Sequence, residues 1–258
     1  MVRVCVIGCG NMGGALVRGL AATGECHVTV CDVDPSMFES IAGLDVETST
    51  DPAVATAADV VFLAVKPDLV PPVIEDLDLT AEQTIVSIAA GVPTEVVAAR
   101  TDARVVRMMP NLAANWGEMA AAVTGEPLPP EVRTILERVG VVVDLEEDRM
   151  DVATAVNGSG PAFVFYFIQA MAQAGVERGL DPDDARLLAA QTFKGAAETV
   201  LNADESIDEL IDAVCSPQGT TIEGLGVLRA SDVHATIVDA VVAAEQRAAE
   251  LAAEAHHE

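Results

Sequence analysis

Over the first 144 residues, short β-branched apolar runs alternate with segments of helical spacing; past that point no strand pattern recurs. The runs are Val2 to Ile7, His27 to Cys31, Val60 to Val65, Thr84 to Ile88 and Arg104 to Met109. Such alternation builds βαβ units and a parallel sheet. Met119 to Val123 and Val141 to Asp144 predict two strands that finish the sheet, with a helix over Pro129 to Val139 between them. From Asp144 to Asp151 five of eight residues are acids, a poor candidate for any core and the expected domain boundary.

The remainder reads as helix. Asp181-Pro182-Asp183-Asp184 supplies a cap, a first-turn proline and two acids at a positive helix end. Ser206-Ile207-Asp208-Glu209 is a capping box, after which Leu210, Ile211 and Val214 continue the helical spacing begun by Ile207. The Ala-rich stretch from Asp232 to Ala255 is also helical in pattern. Pro161 to Val176 is apolar but interrupted by Gln169 and Gln173; it is too short to cross a bilayer and predicts a buried helix.

Composition narrows the partners. With 51% apolar and only 3% aromatic residues, the core must be built from Ala, Val, Leu and Ile, which favours α/β or all-α layers. Forty-one acids against fourteen bases give a formal charge of -27, which repels phosphate backbones and anionic headgroups, so neither nucleic acid nor membrane is expected as a partner. Only Lys66 and Lys194 are lysines. Together these features predict a halophilic protein in a salt-rich cytoplasm, with an ordinary acidic protein as the other possibility. The five cysteines form no CxxC pair and no zinc-ligand spacing with histidine, so no metal is expected, and Cys5 and Cys31 read as small core side chains. No signal peptide precedes the first strand, which makes the cytoplasm the expected location.

Directly after the first strand comes Gly8-Cys9-Gly10-Asn11-Met12-Gly13, a GxGxxG that closes a strand and opens a helix. Gly8 allows the tight turn, Gly10 lets the backbone approach a pyrophosphate, and Gly13 lets helix and strand pack closely. Nineteen residues on, Asp32 ends the second strand where an acid can meet the adenosine ribose; the bland alternative is a solvated loop acid. Ala64-Val65-Lys66-Pro67 and the small-residue run Ser87 to Gly91, with Ala90 and Gly91, lie at further strand ends where a cofactor can collect. Lys66 could equally be a surface lysine. The pattern therefore predicts an α/β chain: a Rossmann-type doubly wound sheet over 1–150 and an all-helical C-terminal domain over 151–258. In the second part Ser216, Gly219, Thr220 and Thr221 offer backbone N–H groups and hydroxyls that could hold a carboxylate, although an ordinary helix cap looks similar.

Six motifs in this order resemble the pyrroline-5-carboxylate reductase family over nearly the whole chain: Gly8 to Gly13, Ala64 to Pro67, Ser87 to Gly91, Arg107-Met-Met-Pro-Asn111, Gly158-Ser-Gly-Pro-Ala162 and Ser216-Pro-Gln-Gly-Thr-Thr221. The departures are Leu112-Ala113 for the usual Thr-Pro, Gln218 where glycine is common, and Arg229 where an acid or amide is usual. The resemblance implies hydride transfer from NADH or NADPH to the C=N carbon of Δ1-pyrroline-5-carboxylate, giving L-proline. It implies a carboxylate held at Gly219 to Thr221, Met109 and Pro110 in the substrate wall, and a Thr221 hydroxyl at the ring nitrogen. It also implies a homodimer or higher homo-oligomer formed through the helical domain. Asp32 and the acid Asp34 tilt the expectation slightly toward NADH. His27, His234, His256 and His257 stand near none of these motifs. Two rivals are a hydroxyacid dehydrogenase of the 3-hydroxyisobutyrate type, which needs a lysine that is missing after Gly160, and a non-catalytic nucleotide sensor.

Overall fold

The computed structural model describes residues 1–255, so His256 and His257 lie outside the described residues. Strands β1 (Val2–Ile7), β2 (Cys26–Cys31), β3 (Glu47–Ser49), β4 (Val60–Leu63), β5 (Thr84–Ser87), β6 (Arg104–Met109), β7 (Met119–Gly125) and β8 (Gly140–Asp144) form one sheet in the order β3-β2-β1-β4-β5-β6-β7-β8. All neighbours are parallel except β6 and β7. The chain reverses direction of travel across the sheet between β1 and β4, so the crevice at their carboxyl ends is the place for a ligand. The strands meet the expected alternation, with one addition. β3 escapes the pattern because it is three polar residues on the sheet edge.

Why the central runs are apolar throughout is visible in their packing. Val4 and Val6 of β1 join one core with Phe62 of β4 and Val106 of β6, while Cys5, Ile7, Val61 and Val105 join another. Helices α1 (Asn11–Thr23) and α4 (Pro130–Val139) cover the first face through Leu16, Leu20, Ile135 and Leu136. The short helices α2 (Val70–Glu75) and α3 (Thr94–Ala98) cover the other through Val70, Ile74 and Val97. With both faces covered, successive side chains must all be apolar. Cys5 and Cys31 are buried here as core residues, and burial pushes the Cys5 thiol up to about 12.

Beyond the sheet come α5 (Met150–Ala153), a π-helical turn (Thr154–Gly158), α6 (Gly160–Glu177), α7 (Pro182–Asn202), α8 (Ile207–Val214), α9 (Thr220–Arg229) and α10 (Val233–Ala255). Two compact units result: Met1–Ser159 joined by the chain from Val241 onward, and Gly160–Ala240. The division expected at 150/151 thus falls inside the first unit. Asp181 and the Ser206–Glu209 box cap α7 and α8 as the sequence indicates.

Two expectations need correction. The acidic segment does reach a core, because Glu147 and Asp151 turn inward to the buried Arg107 of β6. And α6 is not buried: none of its residues is, and the same holds for α8 and α9. The apolar pattern marks a surface that needs covering, and within its own unit α6 is covered too little to bury any residue.

Candidate active site

The glycine loop is built as a cradle. Gly8 has φ of 98°, and a Cβ there would sit 2.5 Å from the Ala64 carbonyl oxygen. Only glycine suits both the angle and the space. A Cβ on Gly13 would collide with the Gly8 carbonyl, so helix α1 rests directly on the loop. At Gly10 the space is open, with nothing within 4 Å. Gly10 is also the N-cap of α1 and provides no side-chain cap, which leaves the N–H groups of the first turn, at Asn11 and Met12, for an anion. The three glycines thus differ in purpose as the motif requires. A pyrophosphate fits where Gly10 is bare.

Asp32 follows β2 and faces this loop. Its Oδ2 accepts from the Cys9 N–H at 2.7 Å and its Oδ1 from the Asp34 N–H at 3.0 Å. The carboxylate is therefore fixed beside the cradle, which is more than a solvated loop acid does. Cys9 is buried and burial raises its thiol pKa, so it serves as packing in the loop. Ala64 bonds back to Ile7 through its N–H (2.7 Å), which brings the end of β4 against the end of β1. Val65 and Pro67 are half-buried and Lys66 is exposed beside them.

Ala90 and Gly91 follow β5. Gly91 has φ of 73°, and a Cβ there would lie 3.0 Å from the backbone of Leu251 and Ala252 in α10. Its missing side chain is thus used for packing by α10, whereas the expectation was an open face for a cofactor. Met109 ends β6 and Pro110 follows it; both are buried, Met109 packing with Met150 and Ala122. All of these positions except α10 stand at the carboxyl ends of β1, β2, β4, β5 and β6.

Ser216, Gly219, Thr220 and Thr221 belong to the other unit. Ser216 to Gly219 form a turn closed by Gly219 N–H to the Ser216 carbonyl (2.9 Å), and Gly219 then caps α9 with no side-chain cap. Other helical threonines, Thr192, Thr199 and Thr236, spend their hydroxyls on the carbonyl four residues back. Thr221 makes no such bond, and its exposed hydroxyl has no partner among the described residues.

Sequence reasoning did not assign roles to Arg107, Asn111 or Asn157, although the first two bound one motif string and the third directly precedes another. Arg107 is 3% exposed and pairs with Glu147 Oε1 at 2.6 Å, while Asp151 Oδ1 lies 3.5 Å from it. Thr94 donates to the other oxygen of Glu147 at 2.9 Å. The available signal was an arginine in an apolar strand followed by an acidic segment.

Residues 3–91 match the family model described as NADP oxidoreductase, coenzyme F420-dependent, and residues 147–251 match pyrroline-5-carboxylate reductase dimerisation. The pyrroline-5-carboxylate reductase of Methanosarcina acetivorans is 39% identical over 96% of this chain and 97% of that enzyme. The Escherichia coli enzyme of the same name is 34% identical over 96% of this chain and 98% of its own. The chain belongs to the pyrroline-5-carboxylate reductase family. The solved structure of the Coxiella burnetii family member superposes with a TM-score of 0.86 at 31% identity, covering 97% and 98% of the two chains. That of Plasmodium falciparum, solved with NADP bound, gives 0.84 at 27% identity with the same coverage. A pyridine nucleotide is the cofactor of this fold, and the Gly8 to Gly13 cradle suits it.

Proposed function

We infer that this chain reduces Δ1-pyrroline-5-carboxylate to L-proline with a reduced nicotinamide nucleotide. The observation that carries this is the union of a bare Gly10 cradle at the β1/β4 crevice with full-length similarity to reductases of that name. When bound, the nucleotide supplies the hydride. The chain's own residues bind and orient: Gly10, Asn11 and Met12 present N–H groups to the pyrophosphate, and Asp32 accepts from the ribose. Ala64 to Pro67 and Ala90 line the remaining cofactor path. Ser216, Gly219 and Thr220 hold the substrate carboxylate with N–H and hydroxyl donors, and Met109 and Pro110 form the apolar wall. Thr221, whose hydroxyl is spare, donates to the ring nitrogen and relays a proton as the amine forms. The test is loss of absorbance at the nicotinamide band on adding pyrroline-5-carboxylate, with proline identified as product.

Three finer points belong to the same proposal. NADH is favoured over NADPH, because the anchored Asp32 repels a 2′-phosphate; the Plasmodium relative binds NADP, so this preference is assigned to Asp32 alone. The active unit is a homodimer or larger. The matched dimerisation segment supports this, as do the outward Phe165, Tyr166, Leu187, Leu201 and Val227 in a helical unit that buries almost nothing. An apolar hollow of about 370 Å³ beside β8, lined by Val141, Val143, Val152 and Val156, adds a second surface to cover. Finally, the protein works in a salt-rich cytoplasm, as its charge of -27 suggests. No helix among the described residues is long and apolar enough to cross a membrane.

A further inference from the structure

Where β6 and β7 separate, two asparagines take over from the strand ladder. The last residues paired there are Met109 and Ala122. Bonding pairs alternate along an antiparallel ladder, and Glu126 N–H bonds to the Val105 carbonyl, so after Met109 and Ala122 the next ladder bonds would fall between Asn111 and Ala120. Asn157 Nδ2 then donates to the Met109 carbonyl at 2.7 Å and to the Ala120 carbonyl at 2.8 Å, one on each side of the gap. Asn111 Oδ1 accepts from the N–H groups of Ala113 (3.2 Å) and Ala120 (3.3 Å), and its Nδ2 donates to the Asn157 carbonyl at 3.2 Å. Each asparagine thus bonds the other's segment.

Asn157 reaches the gap from the π-helical turn Thr154–Gly158, where the Ser159 N–H bonds to the Thr154 carbonyl five residues back (3.0 Å). Such widened turns cost helix geometry and recur at functional sites. The turn also packs on Met109, since a Cβ at Gly158 would lie 3.7 Å from the Met109 sulfur. Asn157 Oδ1 is buried with no partner. That oxygen is a liability, so the side chain is explained by its two donated bonds.

We propose that Asn157 is a positioning residue for the imine reduction, fixing the Met109–Pro110 wall through the Met109 carbonyl. The proposal rests on the assignment of Met109 and Pro110 to the substrate wall. The dinucleotide cradle follows β1 and faces β4, with β5 between β4 and β6, so a strand separates the β6–β7 gap from the residues that would hold the pyrophosphate.

The test compares Asn157→Ala and the isosteric Asn157→Asp with wild type, using Asn202→Ala as control, an exposed amide that bonds only within α7. Each is assayed in the full-length protein for KM of pyrroline-5-carboxylate, kcat, and the nucleotide Kd by fluorescence. Both Asn157 variants should raise the imine KM about tenfold while the nucleotide Kd stays within about twofold; the control should match wild type. An imine KM unchanged in either folded variant, or a nucleotide Kd that weakens in proportion, overturns the proposal. So does loss of the fold in both variants, which would make Asn157 a structural residue. Should wild type itself fail to reduce the imine, the substrate assignment has failed, and that result is separate from any variant difference.

Discussion

Asp32 and Thr221 are the residues whose surroundings say most about chemistry. The Asp32 carboxylate is tied to the glycine loop through Cys9 N–H, so removing its charge must be separated from removing that bond. Asp32→Asn keeps an acceptor for Cys9 and discards the charge. Wild type should show the higher kcat/KM with NADH, and Asp32→Asn should move the NADH-to-NADPH ratio about tenfold toward NADPH, equivalent to about 1.4 kcal/mol. A wild-type preference for NADPH would return Asp32 to a loop-holding role only. Thr221 is in the first turn of α9 with an uncommitted hydroxyl. Thr221→Val should lower kcat/KM for the imine by roughly ten- to a hundredfold, or about 1.4 to 3 kcal/mol, with little change in melting temperature. Unaltered kinetics in the folded variant would leave the threonine with no part in the reaction.

At the scale of elements, the turn before α9 shows where this sequence carries strain. Ser216-Pro217-Gln218-Gly219 is closed by a bond from residue four to residue one, with proline second and Gln218 third at φ of 60°. A positive φ in third place suits glycine, and a side chain in that region costs roughly 1 to 2 kcal/mol. Gln218→Gly should therefore stabilise the protein, by up to about 1 kcal/mol after the greater flexibility of glycine in the unfolded chain is counted. Thermal melting should show a rise of about 2 to 4 °C; a fall would mean that the glutamine side chain makes compensating contacts. That strain is half-visible in the sequence, since Gln218 stands where glycine is common in the family. The apolar strands and the glycine loop were legible because each is local: a strand covered on both faces has to be apolar, and a crowded Gly8 has to lack a Cβ. Three features were not. β3 has no apolar signature, the Arg107–Glu147 pair joins residues forty apart in the chain, and the Asn157 bonds depend on a π-helical turn that no spacing rule announces. The packing at Gly91 is hidden from the sequence for the same reason, because the helix that fills its space lies at the far end of the chain.

The molecule as a whole carries a charge of -27, and its ion pairs, such as Arg133 with Asp144 and Arg186 with Asp183, are largely exposed and weak stabilisers. Self-repulsion among the remaining acids should fall as salt shortens the screening length to about 3 Å at molar concentration. Melting temperature and activity should both rise from low to molar KCl, and a melting temperature independent of KCl would remove the halophilic assignment while leaving the chemistry untouched. The chemistry itself is tested most directly by following the hydride. The full-length protein, in molar KCl, is given pyrroline-5-carboxylate and a nucleotide dideuterated at nicotinamide C4, as NADH and as NADPH in parallel. Proline carrying a single deuterium on the former imine carbon is the predicted product. Unlabelled proline, or no proline with either nucleotide, would contradict the account.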